Sequence, residues 1–174
     1  MIQTILFATD LCVFTPYLLK HVTDLAQRWG ARVVVVHAVE PLGSLGTAVV
    51  NAYLPDQISR QFEEQGLDAL LVSIKDRLIE LLADEVLSEN DDFGVINDVV
   101  VEIGKPEEII LGLIQTLGAD LVVMGSHAPD RFGPSTLGSV VTKVMNQSKI
   151  PVFLIPVSPM SPADIQRPPR AAGH

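Results

Sequence analysis

The sequence predicts one α/β domain built on an open, doubly wound and mostly parallel five-stranded sheet with helices on both faces. Short apolar runs rich in β-branched residues alternate along the chain with longer segments whose apolar residues recur at helical spacing. Glycine and proline stand where one kind of segment gives way to the other. Apolar residues make up 48% of the 174 positions and charged residues 19%, which is enough apolar material for one packed core.

Each predicted strand is a short and nearly continuous apolar run, which is typical of strands that are covered on both faces. Because the runs alternate with helical segments, their connections are crossovers, and crossovers make neighbouring strands parallel. The five predicted strands are Ile2–Ala8, Val33–Val39, Val95–Ile103, Leu121–Met124 and Val152–Val157.

The predicted helices show start and stop signals. Thr15 is predicted as an N-cap ahead of Pro16 at the first helical position, and Gly30 and Gly118 each end a helix. Glu107 is predicted as a helix-start acid that the helix dipole favours, and Lys143 as a solvent-facing helix residue. The four predicted helices are 16–29, 55–82, 106–117 and 136–147.

Two other segments bound the domain. Residues 40–54 form a long connection, and connections of this length often carry function or motion. Residues 158–174 contain several prolines among small and polar residues, which predicts a disordered tail. The predicted domain is therefore 1–157.

Composition excludes several classes of function. The net charge is −9 with only 12 scattered Lys and Arg residues, which opposes a nucleic-acid role. The one cysteine, Cys12, can form neither an internal disulfide nor a multi-cysteine zinc site. The amino terminus has no basic region or cleavage site, and the apolar runs are too short to span a bilayer. We expect a cytoplasmic protein without membrane insertion.

Two strand ends carry candidate site residues. The first strand ends in Ala8-Thr9-Asp10, and the fourth ends in Met124-Gly125-Ser126-His127. Ligands of open parallel sheets bind beyond the carboxyl ends of the strands, where the strand order reverses. If both ends flank that point, they face one crevice.

The loop from Gly125 to Ser139 is the most informative segment. Gly138 and Ser139 stand near the start of a helix, where exposed N–H groups and the helix dipole favour an anion. Gly138 would let phosphate oxygens approach the backbone, and the Ser139 hydroxyl adds a donor. On local composition alone, an ordinary loop with glycines for its turns is the favoured interpretation, because glycine-rich loops are common.

Gly125, Gly138 and Ser139 fit a pattern of glycine, two residues, glycine, nine residues, glycine and then Ser or Thr. This pattern resembles the signature of ATP-binding universal stress proteins, a family with a Rossmann-like fold, although Ala128 replaces the second glycine. The similarity runs through residues 1–157 and includes Gly104-Lys-Pro and the segment from Lys149 to Pro156.

The resemblance implies a stress-response regulator that binds ATP or another adenine nucleotide, with or without Mg²⁺. Asp10 is similar to the family's acid near the ribose, Ala38 occupies the position whose backbone meets adenine, and the loop would hold the phosphates. Pro129 removes one N–H beside Ala128, so altered or weaker phosphate binding is expected. The implied nucleotide-binding residues are Ala8, Thr9, Asp10, Ala38, Met124, Gly125, Ser126, His127, Ala128, Gly138, Ser139, Val140 and Val141.

Two further hypotheses stay open. The resemblance implies a homodimer through Val152–Val157, so the chain could be an interaction module that retains no nucleotide and acts on an unidentified regulated protein. An enzyme is the third hypothesis, but the sequence has no Walker lysine motif and no set of catalytic base and metal ligands. We expect at most slow ATP hydrolysis.

Overall fold

The structure is a computed structural model, and it describes residues 1–12, 14–40, 71–72, 74–76, 79–80, 95–126 and 137–157. Of the predicted helix 55–82, residues 55–70, 73, 77, 78, 81 and 82 lie outside the described ones, as do the predicted tail 158–174 and nearly all of the 40–54 connection. Residues 71, 72, 74–76, 79 and 80 are helical. The other elements are β1 (Thr4–Ala8), α1 (Thr15–Trp29), β2 (Arg32–Val39), β3 (Ile96–Ile103), α2 (Pro106–Leu117), β4 (Leu121–Gly125), α3 (Ser139–Gln147) and β5 (Val152–Ile155).

The five strands form one sheet in the order β3-β2-β1-β4-β5, and every pair of neighbours is parallel. The predicted α/β fold is thereby confirmed. Ala8 at the end of β1 lies level with Val36 of β2 on one side and with Met124 of β4 on the other. The strand order reverses at β1, so the carboxyl ends of β1, β2 and β4 surround the switch point at which such sheets bind ligands.

Alternate residues of the strands feed two separate cores. Phe7 and Val35 pack with α1 on one face, whereas Leu6 and Val34 pack with α2 and α3 on the other. This period of two follows from the pleat of a strand. Burial on both faces explains why the strands are continuous apolar runs in the sequence.

Several element boundaries differ from the prediction, and hydrogen bonding explains two of them. Strand β5 ends at Ile155 because Pro156 has no N–H to continue the ladder. Helix α3 begins at Ser139 and not at Thr136, because Gly138 has an extended ψ of 149° and donates its N–H to the Ser126 carbonyl. Strand β1 begins at Thr4 and not at Ile2.

The predicted N-cap role of Thr15 is wrong. Phe14 holds the cap position, and Thr15 is the first residue of α1. The Thr15 hydroxyl is 3.0 Å from the Thr9 hydroxyl, so it joins the helix start to the loop after β1. A tertiary hydrogen bond has therefore replaced the local cap that the residue type favours.

Helix α2 offers a matched pair of glycines for a stability test. Gly118 follows the helix with φ of 59°, a conformation that side chains disfavour, whereas Gly112 lies within the helix, and an added Cβ has open space at both. We expect Gly118→Ala to lower the free energy of unfolding by about 1–2 kcal/mol and Gly112→Ala to raise it by about 0.5–1 kcal/mol. Urea unfolding measures both changes, and equal signs would contradict the assignment.

Candidate functional site

A cavity of about 340 Å³ opens at the carboxyl ends of β1, β2 and β4. Its walls come from these strand ends, from the loop after β1, from α1 and from the first turns of α2 and α3. A cavity of this size lies within the range of small-molecule sites. The residues that line it are Ala8, Thr9, Asp10, Cys12, Leu18, Val36, Ala38, Pro106, Ile110, Met124, Gly125, Leu137, Gly138, Ser139, Val140 and Val141.

The cavity brings together most of the residues predicted from the sequence. Ser126 does not line it, and His127 and Ala128 lie outside the described residues. Sequence reasoning missed six wall residues, and Leu18, Val36 and Ile110 were missed because apolar side chains on helices and strands look like core. The predicted residues in the wall are Ala8, Thr9, Asp10, Ala38, Met124, Gly125, Gly138, Ser139, Val140 and Val141, and the missed ones are Cys12, Leu18, Val36, Pro106, Ile110 and Leu137.

Thr9 organises the loop after β1. Its N–H donates to the Val36 carbonyl at 3.0 Å, and its hydroxyl oxygen accepts the Leu11 N–H at 3.1 Å. His37 Nδ1 is 2.9 Å from the Thr9 carbonyl. Since a carbonyl only accepts, Nδ1 carries the hydrogen. The polar groups of Thr9 therefore stabilise the loop. Nδ1 of His37 is engaged in a hydrogen bond with the same residue, so this nitrogen is not available as a ligand.

Asp10 lies at the tip of this loop, exposed and in the cavity wall. Its Oδ1 accepts the Cys12 N–H at 3.2 Å. The intervening Leu11 has φ of 57°, a left-handed conformation that a side chain disfavours by about 1–2 kcal/mol. The bonds of Thr9 and Asp10 hold Leu11 in this conformation, and the result is a fixed direction for the Asp10 carboxylate.

Gly125 lies where β4 passes under α1. A Cβ at this position would be 3.1 Å from Leu18 Cδ1 and 3.7 Å from Val157 Cγ1. Leu18 also lines the cavity, so a side chain at residue 125 would push into the wall. The structure thus gives this glycine a packing role.

Ser126 fastens the base of the loop that follows β4. Its N–H donates to the Ile155 carbonyl at 2.9 Å, and its carbonyl accepts the Gly138 N–H at 3.0 Å. Its hydroxyl accepts the Val157 N–H at 3.1 Å. The two ends of the 127–136 segment are thereby held together, and the buried Ser126 side chain is turned to Val157.

The start of α3 provides hydrogen-bond donors at the cavity wall. Thr142 donates the first intrahelical bond, to the Gly138 carbonyl at 2.9 Å. The N–H groups of residues 139–141 consequently have no acceptor within the helix. Ser139, Val140 and Val141 all line the cavity, so these donors and the positive end of the helix dipole lie beside it.

Glu107 and Lys143 form an ion pair between α2 and α3, with 2.5 Å between Nζ and Oε1. The hydrogen bond from Lys143 keeps the pKa of Glu107 below its usual value. The predicted role of Lys143 as a plain solvent-facing residue is incomplete, because it also has this partner. Sequence reasoning could not find the pair, since the two residues are 36 positions apart.

No helix within the described ranges is long and apolar enough to cross a membrane. Among those same residues, no group of three His, Cys, Asp or Glu side chains is placed to hold a metal ion.

Fold and cavity together define a doubly wound α/β protein with a small-molecule crevice at its carboxyl edge. The model of the universal stress protein family matches residues 1–156, so the chain belongs to the universal stress protein family. Universal stress protein MJ0577 of Methanocaldococcus jannaschii is 26% identical over 165 residues, which cover 89% of this chain and 95% of that protein.

Three further similarities agree. A Thermus aquaticus protein, the universal stress protein in the QAH/OAS sulfhydrylase 3′ region, is 31% identical over 130 residues, 75% of this chain and 81% of that one. The solved structure of MJ0577 superposes with a TM-score of 0.64 at 23% identity and covers 90% of this chain and 96% of its own. UspA from Lactobacillus plantarum gives 0.62 at 18% identity, with 88% and 97% covered.

Cys12 offers a test of the cavity wall. Partial burial and a hydrogen bond to the Asp10 carboxylate raise the pKa of its thiol from 9.0 to about 11. The thiolate is the reactive form, so we expect slow alkylation by iodoacetamide at about pH 8 and a rate that rises up to about pH 11. In urea the thiol regains its ordinary pKa and reacts faster. Equal rates for folded and unfolded protein at about pH 8 would contradict the burial.

Proposed function

We propose that the protein is a cytoplasmic stress-response regulator that binds an adenine nucleotide in the cavity. The observation that carries the proposal is the start of α3, where the N–H groups of residues 139–141 have no acceptor within the helix and lie at the wall of a cavity at the switch point of the sheet. The proposed ligand is ATP or another adenine nucleotide, with or without Mg²⁺. The proposed role is binding, with at most slow hydrolysis.

The phosphate end of the ligand would lie against α3. The N–H groups of residues 139–141 and the Ser139 hydroxyl are donors that fit phosphate oxygens. Gly138 has φ of −56°, which any residue can adopt, so its lack of a side chain matters for space rather than for conformation. Its own N–H is bonded to Ser126, which leaves the phosphate contacts to the residues that follow.

The nucleoside end would lie against β1 and β2. Asp10 is a carboxylate in the wall, and it can accept hydrogen bonds from ribose hydroxyls. Val36, Ile110 and Met124 give the wall an apolar surface that suits a purine ring. Ala38 is the position at which the backbone would meet adenine, as the family resemblance implies.

Two solved structures of similar fold support the choice of an adenine nucleotide. One is described as a universal stress protein in complex with cAMP, with a TM-score of 0.52 and 19% identity. Another is the universal stress protein from Archaeoglobus fulgidus in complex with dAMP, with a TM-score of 0.50 and 20% identity. Both ligands are adenylates with one phosphate.

Gly138→Ala tests the phosphate end, and Gly112→Ala is its matched control on a helix surface away from the cavity. A methyl group at residue 138 fits the backbone but occupies the space of a phosphate oxygen. We expect it to weaken adenine-nucleotide binding about tenfold, or about 1.4 kcal/mol. Isothermal titration calorimetry with ATP and Mg²⁺, and separately with AMP, measures the change.

Wild-type protein that gives no heat with either nucleotide at high concentration would overturn the proposal. Binding that is equal in wild type and Gly138→Ala would overturn the placement of the phosphates. The control variant should bind like wild type.

A second proposal concerns self-association. Strand β5 is an edge of the described sheet, since it pairs with β4 alone, and Phe153 on it is 42% exposed. Exposed apolar edges favour pairing with another chain. We propose a homodimer through Val152–Val157, and this dimer would also serve the alternative of an interaction module that retains no nucleotide.

Phe153→Ser tests the dimer, and Trp29→Ser is a matched control because Trp29 is 41% exposed on α1. We expect light scattering at micromolar concentration to show a dimer for wild type and for Trp29→Ser. Loss of the apolar contact should make Phe153→Ser a monomer. A monomeric wild type would contradict the proposal.

A further inference from the structure

Two charged side chains connect the helices that supply one wall of the cavity. Glu107 is the second residue of α2 and is buried, with 8% of its surface exposed. The side chain of Lys143 in α3 is 52% exposed, and its Nζ donates to Glu107 Oε1 at 2.5 Å. The pair is a tertiary contact, because the two residues are 36 positions apart and belong to different helices.

Each partner shares a helix face with residues of the cavity wall. Glu107 is three positions before Ile110, and Lys143 is three positions after Val140 and four after Ser139. Residues at these separations lie on one face of a helix. The ion pair therefore lies one helical turn away from the donors at the start of α3.

We propose that Glu107 and Lys143 are positioning residues, which hold the start of α3 against α2 so that the N–H groups of its first turn face a bound phosphate. This inference rests on the proposed nucleotide site and names how that site is held in place. Neither side chain lines the cavity, so neither is proposed to touch the ligand.

Removal of Lys143 and removal of Glu107 have different electrostatic consequences. The hydrogen bond from Lys143 holds the pKa of Glu107 below its usual value, so this carboxyl group carries a negative charge at neutral pH as an ordinary glutamate does. Without Lys143, the buried carboxylate would keep the hydrogen bond from its own backbone N–H but lose its cationic partner, and an uncompensated negative charge beside a site for an anion is unfavourable. Without Glu107, the half-exposed Lys143 ammonium can turn to water. Removal of Lys143 alone should therefore harm phosphate binding more than removal of Glu107 alone.

The test is a double-mutant cycle with ATP and Mg²⁺, and with AMP, as titrants. We expect Glu107→Gln to weaken binding about threefold and Lys143→Met about tenfold or more. The double variant Glu107→Gln with Lys143→Met should bind more tightly than Lys143→Met alone, because the unpaired carboxylate is gone. Lys143→Arg should stay near wild type, since it keeps the charge and a donor.

Glu108→Gln is the matched control. Glu108 follows Glu107 in the same helix turn, and it pairs with Lys105 at 2.7 Å on the exposed surface. This variant removes one carboxylate and one ion pair from α2 but leaves the link to α3 intact. It should bind both nucleotides like wild type.

Hydrogen exchange without nucleotide separates this inference from the proposed function. The N–H groups of Gly138 and Thr142 donate at 3.0 and 2.9 Å to Ser126 and Gly138 carbonyls. We expect both amides to exchange faster in Glu107→Gln than in wild type and Glu108→Gln, because the helix start is less firmly held. This readout stands even if wild type binds no nucleotide, in which case the proposed function alone fails.

Unchanged exchange together with equal affinities of wild type and Glu107→Gln would overturn the inference. An additive cycle, in which the double variant is weaker than Lys143→Met, would overturn it as well. If Lys143→Met does not fold, Glu107→Gln and Lys143→Arg carry the test, since both retain hydrogen-bonding side chains.

Discussion

Strand β1 is hydrogen-bonded on both sides, to β2 and to β4, and every residue from Thr4 to Ala8 is buried. Its register decides where three strands end, and those ends form the base of the cavity. Asp120 supports this register from the opposite edge, because its carboxylate accepts the N–H groups of Gln3 and Thr4. These bonds also keep the pKa of Asp120 below its usual value. The edge of the sheet that carries the cavity is thus set by hydrogen bonds along the whole strand.

Much of the fold could be predicted from the sequence, because parallel strands buried on both faces leave an apolar run that needs no partner to be recognised. The helix ends at Gly30 and Gly118 could also be predicted from the sequence. Both glycines have φ near 60°, a left-handed conformation that ends a helix and that glycine adopts readily. Thr15 was misread because its hydroxyl found a partner in another segment, Thr9, which a local rule does not consider.

The residues of the candidate site likewise divide into those that the sequence predicted and those that it did not. Asp10, Gly138 and Ser139 were found because strand ends and helix starts are visible in the chain. Pro106 and Ile110 were missed, since an apolar helix face has one appearance whether it covers core or cavity. Gly125 was predicted from a loop motif, whereas the folded chain adds a packing reason, because a Cβ at this position would crowd Leu18.

The bond between the Ser126 carbonyl and the Gly138 N–H closes the 127–136 segment at its base. The free-energy cost of closing a loop between fixed ends rises only slowly with the number of residues in the loop. Substitutions, insertions and deletions in that segment therefore need not weaken the sheet beneath it. The sequence of that segment, Ala128-Pro129 included, can therefore change while the strands at the base of the cavity keep their pairing.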